Sequence, residues 1–310
     1  MGKILTLVLG SGFLVLGCAS NEKPTQEQLE AHQQDVAAWF DHRVGELKSH
    51  NGWLNLAGLF WLKDGINSFG SAESNDVVFP ADKIAPKAGY FIVKGQSVTL
   101  MPAPGGEISI YGTPVETETV IFHPDSARAI KLLQGSITQH GSLEWYIIRR
   151  ENKMGIRLRD LESEGVKNFK GIERYPVDYS WRIPTRFEPA TPGTMIDITN
   201  VLGQTFPDVL AGHYVFEVEG KEYKLEATGD GEELFVVFGD DTNGKETYGA
   251  GKFLYVNRPD STGRAYIDFN KSYNPPCAFT DFATCPLPRK ENVLPVAITA
   301  GEKSFELHPK

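Results

Sequence analysis

The residues best suited to chemistry lie in the last third of the chain. Asp240, Asp241, Thr242, Asn243 and Gly244 form a polar turn after an apolar run, with Glu246 and Tyr248 close behind. Such a turn can simply bond its own backbone through Asx side chains. Alternatively, Asp240, Thr242, Glu246 and Tyr248 converge at a strand end as oxygen donors. They are too few for a hard cation, which needs six to eight oxygens, and no EF-hand pattern is present. The second stretch carries Asp268, Asn270, Tyr273 and Asn274 and runs into Pro275-Pro276-Cys277. Strand alternation puts Asp268 and Asn270 on one face, and the two prolines stiffen the chain on the way to Cys277. Its amides either orient a small polar ligand or satisfy buried backbone groups. A third set, Arg149, Arg150, Arg157 and Arg159, brackets a predicted hairpin. Arg149 with Arg157 or Arg159 makes a fork for a carboxylate or phosphate, or else a solvated ladder pairing with Glu151 and Asp160. We therefore expect a pocket for a small polar ligand, lined by Arg157, Asp240, Asp268, Asn270 and Asn274. The alternatives are a hydrolase using Asp240, Glu246 or Asp268 as acid and base, and a non-catalytic envelope scaffold.

Other chemistries find little support. The chain has no Gly-x-Ser-x-Gly elbow, no His-Glu-x-x-His and no phosphate-binding loop ending in Gly-Lys-Ser/Thr. Gly249-Ala250-Gly251 lacks the third glycine of a dinucleotide fingerprint, and no cofactor is implied. Net charge is −9 with no dense basic stripe, which argues against a nucleic-acid partner. Cys277 and Cys285 admit a disulfide, free thiols, or metal or redox chemistry. No nearby histidine pair completes a zinc site, so no metal is expected. A disulfide would contribute roughly 2.5 kcal/mol.

The N-terminus sets the expected compartment. Lys3 is followed by an uncharged run from Ile4 to Gly17, short of the about 20 apolar residues that span a bilayer but suited to a secretory signal. It ends in Val15-Leu16-Gly17-Cys18, which resembles a bacterial lipobox with Cys18 as the lipidated first mature residue. Acyl chains there would hold the protein on a membrane at about 0.8 kcal/mol per buried methylene. Ala19, not being aspartate, favours the outer membrane over the inner by resemblance to sorting rules. The expected organisation is a signal peptide over 1–17, a lipidated tether over 18–25, a helix over 26–52 and a β-rich domain over 53–310.

Positioning those residues falls to a predicted helix and many short strands. Thr25 and Gln28 have capping-box spacing, and Leu29, Val36, Phe40, Val44 and Leu47 recur on one helical face before Gly52. Trp53–Leu62 is apolar almost throughout and reads as core or a covered strand, with Trp53 or Trp61 as the alternative stacking surface for a ligand. Hairpins are expected at 90–101, 143–160 and 213–227. Further strands are expected at 108–111, 119–123, 181–187, 195–200, 234–238, 248–256 and 265–269. The fold class is mainly β, an antiparallel sandwich or barrel-like set of sheets with an N-terminal helix.

The block from Phe238-Gly239-Asp240-Asp241 to Gly251-Lys252-Phe253-Leu254 continues through Asp268-Phe269-Asn270-Lys271-Ser272-Tyr273 and Asn274-Pro275-Pro276-Cys277-Ala278-Phe279. It ends on Cys285-Pro286-Leu287-Pro288, Asn292 and Ala300-Gly301-Glu302-Lys303. Together these resemble an uncharacterised bacterial family, domain of unknown function 1684. Shorter pieces from Gly52-Trp53-Leu54 through Phe69-Gly70, at 155–160 and at Tyr175-Pro176 resemble it too. Arg289 stands where the family pattern more often has another proline. The resemblance implies a family and no activity.

Overall fold

A computed structural model describes residues 23–127, 134–150 and 153–305. The signal segment 1–17, Cys18 and Glu151 lie outside these residues. Helix α1 (Gln26–Lys48) begins at the expected capping box: the Thr25 side chain accepts from the Gln28 N–H, and Gln28 reaches back to Thr25. It ends four residues earlier than expected, at a Ser49 cap bonded to Glu46. None of the helices among the described residues is long and apolar enough to cross a membrane.

Beyond the helix come strands β1 (Leu56–Trp61), β2 (Gly65–Gly70), β3 (Val77–Val78), β4 (Gly89–Lys94), β5 (Ser97–Pro102) and β6 (Ser109–Ile110). Next are β7 (Thr113–Pro114), β8 (Thr119–Phe122), β9 (Thr138–His140), β10 (Leu143–Arg150) and β11 (Lys153–Asp160). They make a sheet in the order β1-β11-β10-β9-β6-β7 and another in the order β3-β2-β4-β5-β8. Pairing is antiparallel apart from the short parallel match of β2 with β3. Phe69, Phe79, Phe91, Trp145, Ile147, Ile156 and Leu158 form the core they share. Trp61 seats against Gly155, where an added Cβ would stand only 3.0 Å from the indole ring.

After a short helix α2 (Glu164–Asn168) the second half is built from β12 (Arg182–Pro189), β13 (Met195–Thr199), β14 (Thr205–Val218) and β15 (Lys221–Thr228). It is completed by β16 (Glu233–Phe238), β17 (Lys252–Asn257) and β18 (Ala265–Asp268). The sheet runs β17-β16-β15-β14-β12-β18, with β13 added on β14. Its two end strands approach one another, so the sheet is a nearly closed barrel. Tyr214, Phe216, Leu225, Leu234, Val236, Phe238, Leu254, Val256 and Ile267 fill the inside. The fold is thus mainly β with an N-terminal helix, as the sequence predicts. The strand expected over 248–256 starts only at Lys252. Gly251 has φ +96, and a Cβ there would press on Pro288, so Tyr248–Gly251 turns instead of extending.

Strand β11 is buried on both faces. Ile156 and Leu158 point into the first core, while Arg157 and Arg159 occupy the other face with Tyr146 and Arg157 in cross-strand register. That second face lies under the end of α1 and the Cys277–Cys285 loop. Arg159 donates to Gly52 O and Asn55 Oδ1, His50 Nε2 is 2.8 Å from Glu144 Oε2, and Leu47, Leu54, Ile172 and Phe279 cluster beside them. Cys277 and Cys285 sit at disulfide distance, Cα to Cα 6.2 Å.

Candidate functional site

Alternation along the barrel decides which side chains are free to meet a ligand. Leu254 and Val256 point inward, so Phe253 and Tyr255 point outward. Phe235 and Val237 oppose Tyr255 and Phe253 across the β16–β17 ladder. The outer face of these strands is therefore aromatic. Tyr273 extends it, its ring 5.9 Å from Phe253 and 6.4 Å from Tyr255. Helix α1 lies alongside. Asp35, Trp39, His42, Arg43 and Glu46 recur at helical spacing and form the opposite wall.

Two cavities open along this seam. The first, about 330 Å³, is walled by Trp39, Trp53, Phe235, Phe253, Tyr255 and Tyr273, with Arg43, His42 and Glu46 at its helical side. The second is about 360 Å³ and shares Trp39 and Tyr255 with the first, so the two form one groove. Its wall holds the carboxylates Asp35, Glu233, Asp260 and Asp268 and the cations Arg182, Arg258, Arg264 and Lys271, four of each sign. Much of this charge is already matched. Lys271 Nζ is 2.7 Å from Asp35, Arg264 Nε is 3.5 Å from Asp260, and Arg182 lies 3.8 Å over the Tyr266 ring. The Thr262 hydroxyl, with the Arg264 and Thr262 N–H groups, holds Asp260 down at about 2.

Two ion pairs and a histidine–carboxylate hydrogen bond dock α1 on the barrel. Besides Asp35–Lys271, His32 Nε2 is 2.7 Å from Asp268 Oδ2, and Arg43 Nε is 3.2 Å from Glu302 Oε1. Arg43 also donates to Asn274 O and stacks 4.6 Å over Tyr273. Glu302 is fully buried, and its other oxygen accepts the Asn274 N–H. Gly301, at φ +78, lets the chain press onto Ser272, where a Cβ would collide with the serine side chain and carbonyl.

The expected site residues separate into those that face the groove and those held by the fold. Asp268 and Tyr273 line it. Asp240 is fully buried: Lys252 Nζ is 3.0 Å away, and its Oδ1 accepts from Thr242 N and Ile298 N. Thr242 shares a hydroxyl bond with Thr247. Asn270 clamps Asp178 through its N–H and C=O and donates to Asp268. Asn274 donates to Lys303 O. Glu246 is exposed and accepts from Tyr175, whose phenol is pushed up to about 12 by burial and then by Glu246. Tyr248 donates to Cys277 O, so this is where the 240–248 and 268–279 segments meet. Arg157 is buried elsewhere, on β11. Sequence reasoning missed Trp39, His32, Arg43, Tyr255, Lys252 and Glu302. The helical ones were readable, since His32, Val36, Arg43 and Leu47 step by four, seven and four onto the buried face.

No curated protein matches the chain. A solution NMR structure of an uncharacterized protein from Haloarcula marismortui is similar at 28% identity over 45% of this chain and 80% of that one, with a TM-score of 0.38. A family match begins at residue 167, beyond the resembling pieces at 52–70 and 155–160. It takes in the barrel, the Cys277–Cys285 loop and Glu302. Residues 167–303 match the family described as protein of unknown function (DUF1684).

Proposed function

We propose that this protein binds a neutral, hydroxyl-rich ligand of saccharide type in the groove between α1 and β16–β18. The observation that carries the reading is a continuous aromatic floor flanked by equal numbers of acidic and basic side chains. Flat aromatic faces offer large apolar contact at defined geometry, and a sugar ring presents a matching apolar face of C–H groups. Carboxylates and guanidinium groups at the rim supply acceptors and donors for hydroxyls. Because the two signs balance, the groove gives no net attraction to a charged ligand.

Trp39 and Trp53 report directly on occupancy, since both stand in the wall. Titration with neutral tri- and tetrasaccharides is expected to change tryptophan fluorescence saturably. Tyr255→Ala should weaken that binding about tenfold, for a stacking loss of about 1–1.5 kcal/mol. Tyr255 is 53% exposed, so the substitution should leave the melting temperature nearly unchanged. Absence of saturable quenching by any neutral saccharide at millimolar concentration would end this reading.

The lipobox-like end at Cys18 supports a place of action on the cell envelope, with the outer membrane favoured. The polar tether up to residue 25 would hang the groove from its own helix. Radiolabelled palmitate should be incorporated into the full chain and not into Cys18→Ser. Label that persists in Cys18→Ser would remove the anchor.

A further inference from the structure

Arg157 is a buried cation without a counter-charge among the described residues. Its side chain lies on the covered face of β11 and the residue is 6% exposed. Its Nε has no hydrogen-bond partner, and none of the carboxylates among the described residues comes within ion-pair range. Asp160, expected as a ladder partner, instead accepts from Ser142 and meets Lys83 at 3.4 Å. The contrast with nearby guanidinium groups is plain. Arg159 has Gly52 O and Asn55, and Arg43 has Glu302. A guanidinium does not shed its proton in a protein, and a buried charge is costly unless paired.

The surroundings add positive charge. Arg150 lies on the same face of the sheet, across from Lys153 as Tyr146 lies across from Arg157. Burial, and then the proximity of Arg157, pull the Arg150 pKa down. Arg157 shares its face of β11 with Arg159, which donates to Gly52 O at the end of α1, where Phe279 of the disulfide loop packs on Leu47 and Leu54. Beside that loop opens a cavity of about 410 Å³ between the end of β10 and the β13–β14 hairpin. Its wall is Arg149, Arg150, Asn200, Gln204, Thr205 and Thr284, closed by Phe206 and Pro207. Among the described residues, that wall contains two cations and no acid. Arg149 donates one N–H to Gln96, and Arg150 donates one to its neighbour's carbonyl. Gln204 Oε1 accepts from Asn200, and the Gln204 amide carries an N–H₂ as a donor besides. Thr284 adjoins Cys285, so the loop over Arg157 also forms this wall.

We propose that this cavity binds a small oxyanion, a phosphate or carboxylate group. Arg149, Arg150, Gln204 and Thr284 contact it, and Arg157 supplies the charge behind them. The site is separate from the charge-balanced groove and selects the opposite kind of ligand. Guanidinium forks match the paired oxygens of either group.

Inorganic phosphate and succinate, each tested against chloride at matched ionic strength, distinguish the two ligand classes. We expect one of them to raise the melting temperature saturably in the full chain, with a millimolar or tighter Kd by calorimetry. Arg150→Gln, at a half-exposed strand end, should weaken binding at least tenfold while leaving the fold intact. Arg157→Met should do the same and, by removing an unpaired buried charge, should keep or raise the stability of the ligand-free protein. Phosphate and succinate both matching chloride would overturn the proposal. So would binding unchanged in Arg150→Gln, or an Arg157→Met chain that melts markedly lower without anion.

Discussion

Lys252→Met is expected to destabilise the protein by about 3–5 kcal/mol, the usual cost of breaking a buried ion pair from one side. Lys252 and Asp240 both have fully buried side chains, 3.0 Å apart at the charged atoms. Burial pulls the Lys252 pKa down, and Asp240 is the main influence holding it up. The ammonium also donates to Ile298 O at 3.0 Å. Methionine keeps the length and apolar stem of lysine, so little packing is lost. What changes is that the Asp240 carboxylate loses its counter-charge, retaining only the Thr242 and Ile298 N–H groups on Oδ1. Asp240→Asn in the Lys252→Met background removes the stranded charge and keeps an acceptor for those N–H groups. Most of the lost stability should then return. Urea denaturation of the two variants beside the parent checks this, and a single-variant loss below about 1 kcal/mol would show that Asp240 tolerates isolation.

The two polar stretches drew attention in the sequence for a sound reason, because polar residues amid apolar strands need partners. What the sequence withholds is the identity of those partners. Asp268 meets His32 across 236 positions, and Arg43 meets Glu302 across 259. No local pattern encodes such matches. They arise from how the helix returns onto the barrel. Local signals fared better. The Thr25–Gln28 box starts α1 where it should, and Glu219-Gly220, both at positive φ, turns β14 into β15 at the expected place. The groove itself was half legible. Asp268 and Tyr273 were singled out for their chemistry. Trp39 and Tyr255 look like ordinary core residues until the strand's facing is known, and only the barrel's inward set, Leu254 and Val256, reveals that Tyr255 points out. Arg157 was legible as a candidate fork but not as an unpaired one, since its expected partner Asp160 is taken by Lys83.

Arg43→Met is the second large effect, and it should carry a signature in pH. Glu302 is fully buried, and burial pushes its carboxyl above the ordinary range, while Arg43 and the Asn274 N–H pull it back. Without Arg43 the carboxyl rises further. A group whose folded pKa exceeds its unfolded value binds more protons when folded. Its stabilisation is therefore complete below the unfolded value near 4.5 and is lost as pH rises through the folded one. Arg43→Met should consequently be mildly destabilised at about pH 4 and lose about 3–5 kcal/mol near neutrality, where the unpaired carboxylate must ionise or keep a costly proton. Adding Glu302→Gln should flatten that profile and restore much of the loss. Urea midpoints measured across this range decide the matter, and a penalty independent of pH would mean that Arg43 acts by packing on Tyr273 and Phe279 alone. The same variant reaches function directly. Arg43 stands in the groove wall four residues after Trp39, so a helix that loosens when Glu302 loses its partner takes one side of the aromatic floor with it. Saccharide binding by Arg43→Met should then fall with rising pH in step with its stability, a coupling that Tyr255→Ala, which removes a contact without touching the latch, should not show.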